Sequence, residues 1–389
     1  MPIADVIRER GPLTVAAFMD VALYDRDLGY YARAARRSGR AGDFFTSVDV
    51  GPVFGELLEL QIAEMAGLLE SRIPNPESQR PFDLVEAGAG NGRLSADILR
   101  AAHRRDPWLY QRTRLHLADA SAGARAAEHA TLAGGPGDVD VADRLVSSSE
   151  SLPSSFEGVL IANELLDALP VHQVVMRADG LREVYVDVAD GRLVTREAPV
   201  STPALAAYLD RLGVALEPGW RVEINLRASD WIRDVARRLR RGFVILIDYG
   251  HEARELYSPT HAGGTLTTFA RHTMAGPESS PGSPSWLAHP GEQDITAHVD
   301  FTSVRAAAED EGLTTLGFLD QTYFLLGLAN LENLPNLANL ANPENLKQRL
   351  ALKTLLMPGG LGSTHKVMIL GKGVGTPALQ GCSYKMRVT

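Results

Sequence analysis

The sequence holds one cysteine, Cys382, and no long apolar run among its 389 residues. A single cysteine excludes an internal disulfide framework and any zinc site built from several cysteines. No stretch approaches the roughly 20 apolar residues that a membrane-spanning helix needs. The first 12 residues also carry charges where a signal peptide has its apolar segment. We therefore expect a protein of the cytoplasm, or of an equivalent reducing compartment, without membrane insertion.

A net positive charge is also missing. The sequence contains 39 Lys and Arg residues and 48 Asp and Glu residues, for a formal charge of -9. This balance argues against a nucleic-acid partner held by bulk electrostatics. The basic stretch 237–241 is interpreted as a solvated helix face. The hydrophobic fraction of 45% and the charged fraction of 22% are typical of a soluble globular protein. A chain of this length can bury one large core or two moderate ones.

The N-terminal segment has mainly helical periodicity. Apolar residues recur at helical spacing over 4–11, over 13–24 and, most strongly, over 53–70. A glycine-broken loop covers 36–47, and the proline-rich stretch 73–81 is typical of a linker. We predict an N-terminal helical cap over 1–72 that contributes to the active site.

From Phe82 onward, short apolar strands alternate with helices. Continuous apolar strands between helices are typical of a parallel sheet that is covered on both faces. We therefore predict an α/β fold with a Rossmann-like sheet and helices on both faces. The predicted strands are 82–88, 114–120, 158–164 and 242–250, and the predicted helices between them are 94–105 and 228–241. Ligands bind beyond the carboxyl ends of such strands, the edge at which we expect Glu86, Asp119, Glu164 and Asp248.

Residues 171–220 have a different pattern, which predicts a β-rich insertion. Alternating strands at 172–177 and 181–197 are bounded by Asp-Gly turn signals. The sheet core is therefore expected over 82–170 and 221–389. Within it, the Leu-x-Asn repeat at 328–342 suits neither helix nor strand, and we interpret it as an expanded loop or frayed helix without function. A helix over 346–356 and a strand over 365–370 are predicted to close the chain.

Three alternate glycines, Gly88, Gly90 and Gly92, follow the first predicted strand. They allow a sharp turn and the close approach of a ligand, and the next helix offers free N–H groups. A dinucleotide fingerprint would need its third glycine at Arg93, so the spacing opposes a nicotinamide-dependent oxidoreductase. A turn without any cofactor is the other alternative. The stretch from Glu86 to Gly92 resembles motif I of class I S-adenosylmethionine (SAM) methyltransferases, and Asp119 is expected to accept from the ribose hydroxyls.

Longer stretches of the chain resemble the MidA family. The matching blocks are 11–31, 42–58, 86–92, 162–173, 247–251, 264–272 and 294–301. Mitochondrial members of that family are SAM-dependent protein arginine methyltransferases that assist assembly of respiratory complex I. The resemblance therefore implies SAM as cofactor and an arginine on a protein partner as methyl acceptor, with a respiratory-complex subunit as one candidate partner.

The chain departs from the family pattern at a few positions. Val48-Asp49 stands where the family commonly has Pro-Glu, and Asp119 stands where it usually has Glu. His365-Lys366-Val367 replaces a Phe-Lys-Val element. These departures leave the methyl acceptor open, and another protein or a small molecule is an alternative substrate. An assembly chaperone that has kept the fold but lost turnover is a further alternative.

Asn163, Glu164 and Asp167 come directly after a predicted strand. Carboxylates can grip a guanidinium bidentately and stabilise its charge, so Glu164 and Asp167 are predicted catalytic residues and Asn163 a cofactor-binding one. On a helical turn the two acids would share a face. The structural alternative for Asp167 is a helix cap or an ion pair with an arginine.

The loop before the helix at 53–70 contains Asp43, Phe44 and Thr46. The resemblance implies that this loop covers the cofactor, where aromatic side chains would exclude water. We predict Asp43 as catalytic and Phe44 and Thr46 as cofactor-binding. The alternatives are an aromatic anchor for the N-terminal helices and, for Thr46 or Ser47, a simple helix cap.

Four histidines fall in the family blocks, namely His172, His251, His272 and His298. A histidine near neutral pH can remove the proton after methylation, and His172 is the best placed because it follows the acid-rich turn. A structural hydrogen bond is the alternative for each of them. Their spacing in the sequence does not indicate a metal site, and none is predicted.

Overall fold

The computed structural model describes residues 3–32, 46–71, 80–270, 273–275, 284–329, 346–356 and 364–384. Asp43, Phe44, His272 and most of the Leu-x-Asn repeat lie outside these residues. The chain divides into two compact units. The first unit comprises Met1–Phe44, Leu166–Ile232 and Gly250–Ala307, and the second comprises Phe45–Leu165, Arg233–Tyr249 and Ala308–Thr389. The predicted division into a cap, a core and an insertion is a separate partition of the chain and stays a prediction.

The described residues form short strands and helices in alternation. The strands are β1 (Leu13–Thr14), β2 (Phe82–Ala87), β3 (Thr113–Ala118), β4 (Leu145–Ser149), β5 (Phe156–Asn163), β6 (His172–Arg177), β7 (Gly180–Ala189), β8 (Arg192–Ala198), β9 (Arg221–Ile224), β10 (Leu239–His251), β11 (Thr267–Ala270), β12 (Thr273–Ala275), β13 (Asp294–Thr296), β14 (Val299–Asp300), β15 (Thr314–Asp320) and β16 (His365–Lys372). The α-helices are α1 (Ile3–Arg10), α2 (Val15–Met19), α3 (Val53–Glu70), α4 (Arg93–Arg105), α5 (Pro107–Arg112), α6 (Ala122–Ala133), α7 (Ala204–Leu212), α8 (Leu226–Arg238), α9 (Ala253–Leu256), α10 (Phe301–Asp310), α11 (Gln321–Leu328) and α12 (Leu346–Leu356).

The second unit is built on a sheet with the strand order β15-β16-β10-β5-β2-β3-β4. The five strands from β10 to β4 are parallel, which confirms the predicted α/β sheet. At the other end, β16 runs antiparallel to both β10 and β15. The sheet is therefore mixed rather than purely parallel as expected, because β16 lies between β10 and β15 and runs opposite to both.

The chain order along this sheet reverses at β2. The strands β3 and β4 continue on one side of β2, and β5 and β10 on the other. In such sheets a crevice opens at the carboxyl ends of the two strands where the order reverses, and ligands bind there. Ala87, the last residue of β2, pairs with Ala162, the residue before the end of β5. The glycine segment after β2 and the Asn163–Glu164 segment therefore start side by side.

The helix α3 has the bounds predicted from its periodicity, residues 53–70. Its apolar side chains, among them Phe54, Leu58 and Ile62, are buried in the core of the second unit. Each such side chain contributes about 1.5–3 kcal/mol through burial. This helix packs against α4, which follows the glycine segment, and against β5, which precedes Glu164.

The predicted helix over 228–241 ends earlier than expected. The helix α8 stops at Arg238, and Leu239 already pairs with Phe156 in the parallel register of β10 and β5. The guanidinium of Arg241 donates from Nε to Glu157 Oε1 over 2.8 Å. The prediction for 239–241 was wrong because tertiary strand pairing outweighs helical periodicity in a short basic segment.

The first unit contains an antiparallel sheet in the order β1-β7-β6-β9, with β8 paired to β7. The strands predicted at 172–177 and 181–197 are confirmed as β6, β7 and β8. A turn at Asp190 and Gly191 (φ 50° and 75°) joins β7 to β8. Within the predicted insertion, the helix α7 was not foreseen. The predicted helix over 13–24 forms α2 and a π-helical turn, Asp20–Tyr24. Among the described helices, none is both long and apolar enough to cross a membrane.

Candidate functional site

The glycine segment forms an open turn between β2 and α4. Gly88, Gly90 and Gly92 all have positive φ (69°, 55° and 78°), the region that side chains disfavour. A Cβ at Gly88 would lie 3.1 Å from Leu165 Cδ1, whereas a Cβ at Gly90 would meet no atom within 4 Å. The backbone at Gly90 thus faces open space, as the close approach of a ligand requires.

Glu86 is buried near the end of β2. Its Oε2 accepts from the backbone N–H of Ser95 over 3.1 Å and from the Ser95 hydroxyl. Burial raises the pKa of Glu86 to about 8, the bonds from Ser95 oppose that rise, and the nearby Glu128 and Asp119 carboxylates add to it. The carboxyl group is therefore anchored to the first turn of α4, and a cofactor contact of its own stays a prediction.

Glu86→Gln is expected to change how the free energy of unfolding depends on pH. The folded chain keeps a proton on Glu86 up to about pH 8, while the unfolded chain releases it near pH 4.5. The contribution of Glu86 to stability therefore falls as pH rises between these values. Glutamine still offers Ser95 an acceptor but has no proton to lose. Between pH 5 and pH 8 the free energy of unfolding of the variant should therefore rise relative to that of the wild type, by a few kcal/mol at most, on the order of the pKa difference. Urea denaturation without added cofactor measures this, and a difference that is equal at both pH values would contradict it.

Asp119 lies directly after β3, at the same turn. Its Oδ2 accepts from Gly90 N–H over 2.8 Å and its Oδ1 from Ser121 N–H over 2.7 Å. Burial raises the pKa of Asp119, and these two backbone bonds counteract it. A carboxylate has about four acceptor positions, so two remain. The half-buried side chain can accept from a pair of hydroxyl groups in front of Gly90, as the ribose of SAM requires.

Glu164 follows β5 in a strained conformation. Its φ is 51°, one of two positive values among the described non-glycine residues. The turn is held by Glu164 N–H to Ile247 O (2.8 Å) and by Leu165 N–H to Asp248 Oδ2 (3.1 Å). The other oxygen of Asp248 accepts from Tyr249 N–H over 2.8 Å. Strain that the surroundings maintain is concentrated at functional sites, which favours Glu164 as a functional residue.

The carboxylate of Glu164 is oriented through one of its oxygens. Glu164 Oε1 accepts from Ser47 N–H (3.3 Å) and Asn163 Nδ2 (3.4 Å), and His365 Nε2 lies 3.4 Å away. In the described part of the chain no hydrogen bond reaches Oε2. The side chain is 13% exposed. Glu164 therefore presents a fixed, available oxygen at the carboxyl end of β5.

His365 was missed as a site residue. It opens β16, pairs with Tyr249 in the register of β10 and β16, and is fully buried. The ring centroids of His365 and Tyr249 are 3.8 Å apart. The only signal in the sequence was the replacement of the family's phenylalanine, since the approach to Glu164 depends on the antiparallel return of β16.

Asn163 carries a buried oxygen that lacks a hydrogen bond. Its Oδ1 has no partner among the described residues, a cost that a bound donor would remove. The α-amino group of SAM is a donor of this kind, and the sulfonium is cationic, which suits the carboxylates of Asp119 and Glu164. The glycine turn, Asp119 and Asn163 thus fit SAM.

Thr46 caps the short helical turn at Ser47–Val50. Its N–H and hydroxyl donate to Asp49 Oδ2 over 3.1 and 3.0 Å. The other oxygen of Asp49 lies 3.3 Å from Arg93 Nη1, at the start of α4. This corresponds to the capping alternative for Thr46. The proposed lid residues before Thr46 lie outside the described residues.

Asp167 and His172 belong to the first unit, whereas Glu164 belongs to the second. No helical turn joins Glu164 to Asp167, so the expected shared helix face was wrong, because Glu164 adopts a positive φ. The buried Asp167 accepts at its carbonyl from Ala297 N–H over 3.0 Å. His172 Nδ1 lies 2.7 Å from the fully buried Glu183 Oε1, as its structural alternative expected. Their catalytic roles stay predictions.

Two of the remaining histidines, His251 and His298, lie together with His261 in the first unit. Burial, and then the neighbouring His251 and His261, lower the pKa of His298 to about 4. His298 is therefore neutral at physiological pH.

Known proteins resemble the chain along most of its length. Residues 60–319 match the family described as "Putative S-adenosyl-L-methionine-dependent methyltransferase". The mouse "Protein arginine methyltransferase NDUFAF7, mitochondrial" is 31% identical over 83% of this chain and 72% of its own length. The Drosophila melanogaster homolog of that protein is 29% identical over 95% of this chain and 83% of its own length.

A solved structure has the same fold. It is that of a Burkholderia thailandensis protein bound to S-adenosyl-homocysteine, which superposes with a TM-score of 0.85 at 29% identity over 99% of this chain and 94% of that chain. The prediction of SAM as cofactor is thereby confirmed. The MidA resemblance is confirmed as well, and the chain belongs to this family of S-adenosyl-L-methionine-dependent methyltransferases.

Proposed function

We propose that the chain transfers methyl groups from SAM to arginine side chains of a partner protein. The observation that carries this proposal is the carboxylate of Glu164. Its Oε1 accepts two hydrogen bonds and lies near His365, whereas Oε2 accepts none from the described residues. The relatives named protein arginine methyltransferases support the same acceptor.

The proposed roles follow from charge and geometry. A guanidinium presents its N–H groups in a planar fork that matches a carboxylate, so Oε2 of Glu164 would accept from the substrate and stabilise its positive charge. Asp119, Asn163 and the turn around Gly90 would hold the cofactor. When bound, SAM supplies an electrophilic methyl group. Asp248 is a positioning residue, since its carboxylate holds the turn that carries Glu164.

The partner and the location belong to the same proposal. A formal charge of -9 favours basic, arginine-bearing acceptors over nucleic acid. The MidA resemblance favours a respiratory-complex subunit as the acceptor. We place the chain in the cytoplasm, although the named relatives are mitochondrial.

The test is incubation of the purified chain with methyl-labelled SAM and a lysate of the native host from which its gene has been deleted. Proteins are then hydrolysed and the labelled amino acids separated. We expect label in methylarginine. Label confined to other residues or to small molecules would overturn the arginine proposal while leaving the methyltransferase assignment intact. SAM binding without any labelled product would favour the assembly chaperone.

A further inference from the structure

Three imidazoles converge in the first unit from segments distant in the chain. His251 is the last residue of β10, His261 ends the helical turn Pro259–His261, and His298 lies between β13 and β14. One ring nitrogen of each lies within 4.8 Å of the others. The ring centroids are 4.9 Å (His251 to His261), 5.2 Å (His251 to His298) and 5.9 Å (His261 to His298) apart.

This arrangement is close to what a transition metal needs. Tetrahedral Zn²⁺ binds histidine nitrogens at about 2.0–2.1 Å, which sets neighbouring nitrogens roughly 3.3 Å apart. Small side-chain rotations would shorten the present distances between the ring nitrogens to this value. Three imidazole nitrogens suit zinc and similar divalent metals, rather than Mg²⁺ or Ca²⁺, which prefer oxygen ligands. Three protein ligands also leave a fourth position for water.

Glu255 orients two of the three rings. Its backbone carbonyl lies 3.0 Å from His261 Nδ1, and because a carbonyl can only accept, the proton of His261 is on Nδ1. The lone pair is then on Nε2. The side-chain Oε1 of Glu255 lies 3.0 Å from His251 Nδ1, so the carboxylate of the same residue lies beside a second ring. Carbonyl and carboxylate partners of this kind orient histidines that bind metals.

His298 adds an independent observation. Its buried Nδ1 has no hydrogen-bond partner among the described residues. The backbone is fixed, since His298 N–H donates to Thr265 Oγ1 over 3.1 Å. A buried polar atom without a partner costs stability, and a metal ion at the centre of the three rings would provide a partner. All three rings are half-buried, so an ion can enter from solvent.

We propose that His251, His261 and His298 form a binding site for a divalent transition metal, with zinc as the ion. Glu255 holds the rings from outside the coordination sphere. The metal ties the end of β10 to the turn at Pro259–His261 and to the turn between β13 and β14. We assign the metal a structural role within the first unit.

The test uses the full-length chain without an affinity tag, stripped with a chelator and dialysed. Zn²⁺ binding is measured by calorimetry, and Co²⁺ is followed by its visible absorption, which is intense in tetrahedral sites. We expect one equivalent of either metal and a higher unfolding temperature with it. Glu255→Gln should weaken binding about 10- to 100-fold, and His261→Ala should abolish the cobalt spectrum.

His289→Ala is the matched control, since His289 is an exposed histidine of the same unit. It should bind metal like the wild type. SAM titration of each variant shows that the fold is intact, independently of the metal. Substoichiometric binding by the wild type, or binding by His261→Ala equal to that of the wild type, would overturn the proposal.

Discussion

Glu164→Gln is expected to lower kcat for protein methylation about 100-fold, with SAM affinity changed by less than about threefold. The amide keeps the shape of the side chain, and its oxygen can still accept from Ser47 N–H and Asn163 Nδ2. The amide nitrogen then takes the position of Oε2 and presents N–H donors to a guanidinium that is itself only a donor. Steady-state kinetics with labelled SAM, together with a SAM titration, measures both quantities.

Asp190→Asn is the matched control for this change. Asp190 is the other described non-glycine residue with positive φ, and it lies exposed in the turn between β7 and β8. Both variants remove one carboxylate from a left-handed position, but only Glu164 lies at the end of β5. A full methylation rate in Glu164→Gln would exclude the proposed hydrogen bonding between Glu164 and the substrate arginine. Equal losses of kcat, SAM affinity and unfolding temperature would assign Glu164 a structural role instead.

The edge of the sheet that carries the site could be predicted from the sequence. Glu86, Asp119 and Glu164 each end or follow an apolar stretch, and the carboxyl ends of parallel strands meet at one edge. The pattern also located the glycine turn, because glycines at alternate positions after a strand favour a left-handed backbone. These features are local, and local periodicity is what a single sequence records.

The contacts that orient Glu164 could not be predicted. Ser47 and His365 come from distant parts of the chain and reach Glu164 only through the packing of α3 and the antiparallel return of β16. The stretch Asn163 to Asp167 has the composition of a helix, and tertiary hydrogen bonds to the Ile247 carbonyl and the Asp248 carboxylate impose the turn. The three converging histidines are a further case, since their spacing in the chain does not resemble a metal motif.

Gly90→Val is expected to raise the Kd for SAM by about 100-fold or more, and Gly90→Ala by roughly tenfold. The φ of 55° at Gly90 disfavours any side chain, and a Cβ there would project into the open space in front of the turn. The N–H of Gly90 donates to Asp119, so a shift of this backbone would also displace the carboxylate that we expect to hold the ribose. Calorimetric titration with SAM, and with NAD as the negative comparison, measures the effect.

Backbone strain alone must be separated from obstruction of the cofactor. Gly213→Ala provides the comparison, since Gly213 ends α7 with a φ of 63° and a Cβ there would also meet no atom within 4 Å. Alanine at either position costs about 1–2 kcal/mol of folding free energy, so both variants should lower the unfolding temperature similarly. Only Gly90→Ala should weaken SAM binding. If Gly213→Ala weakened it equally, the loss would follow from stability. If Gly90→Val bound SAM like the wild type, the cofactor would have to lie away from the glycine turn, and the roles proposed for Asp119 and Asn163 would fail with it.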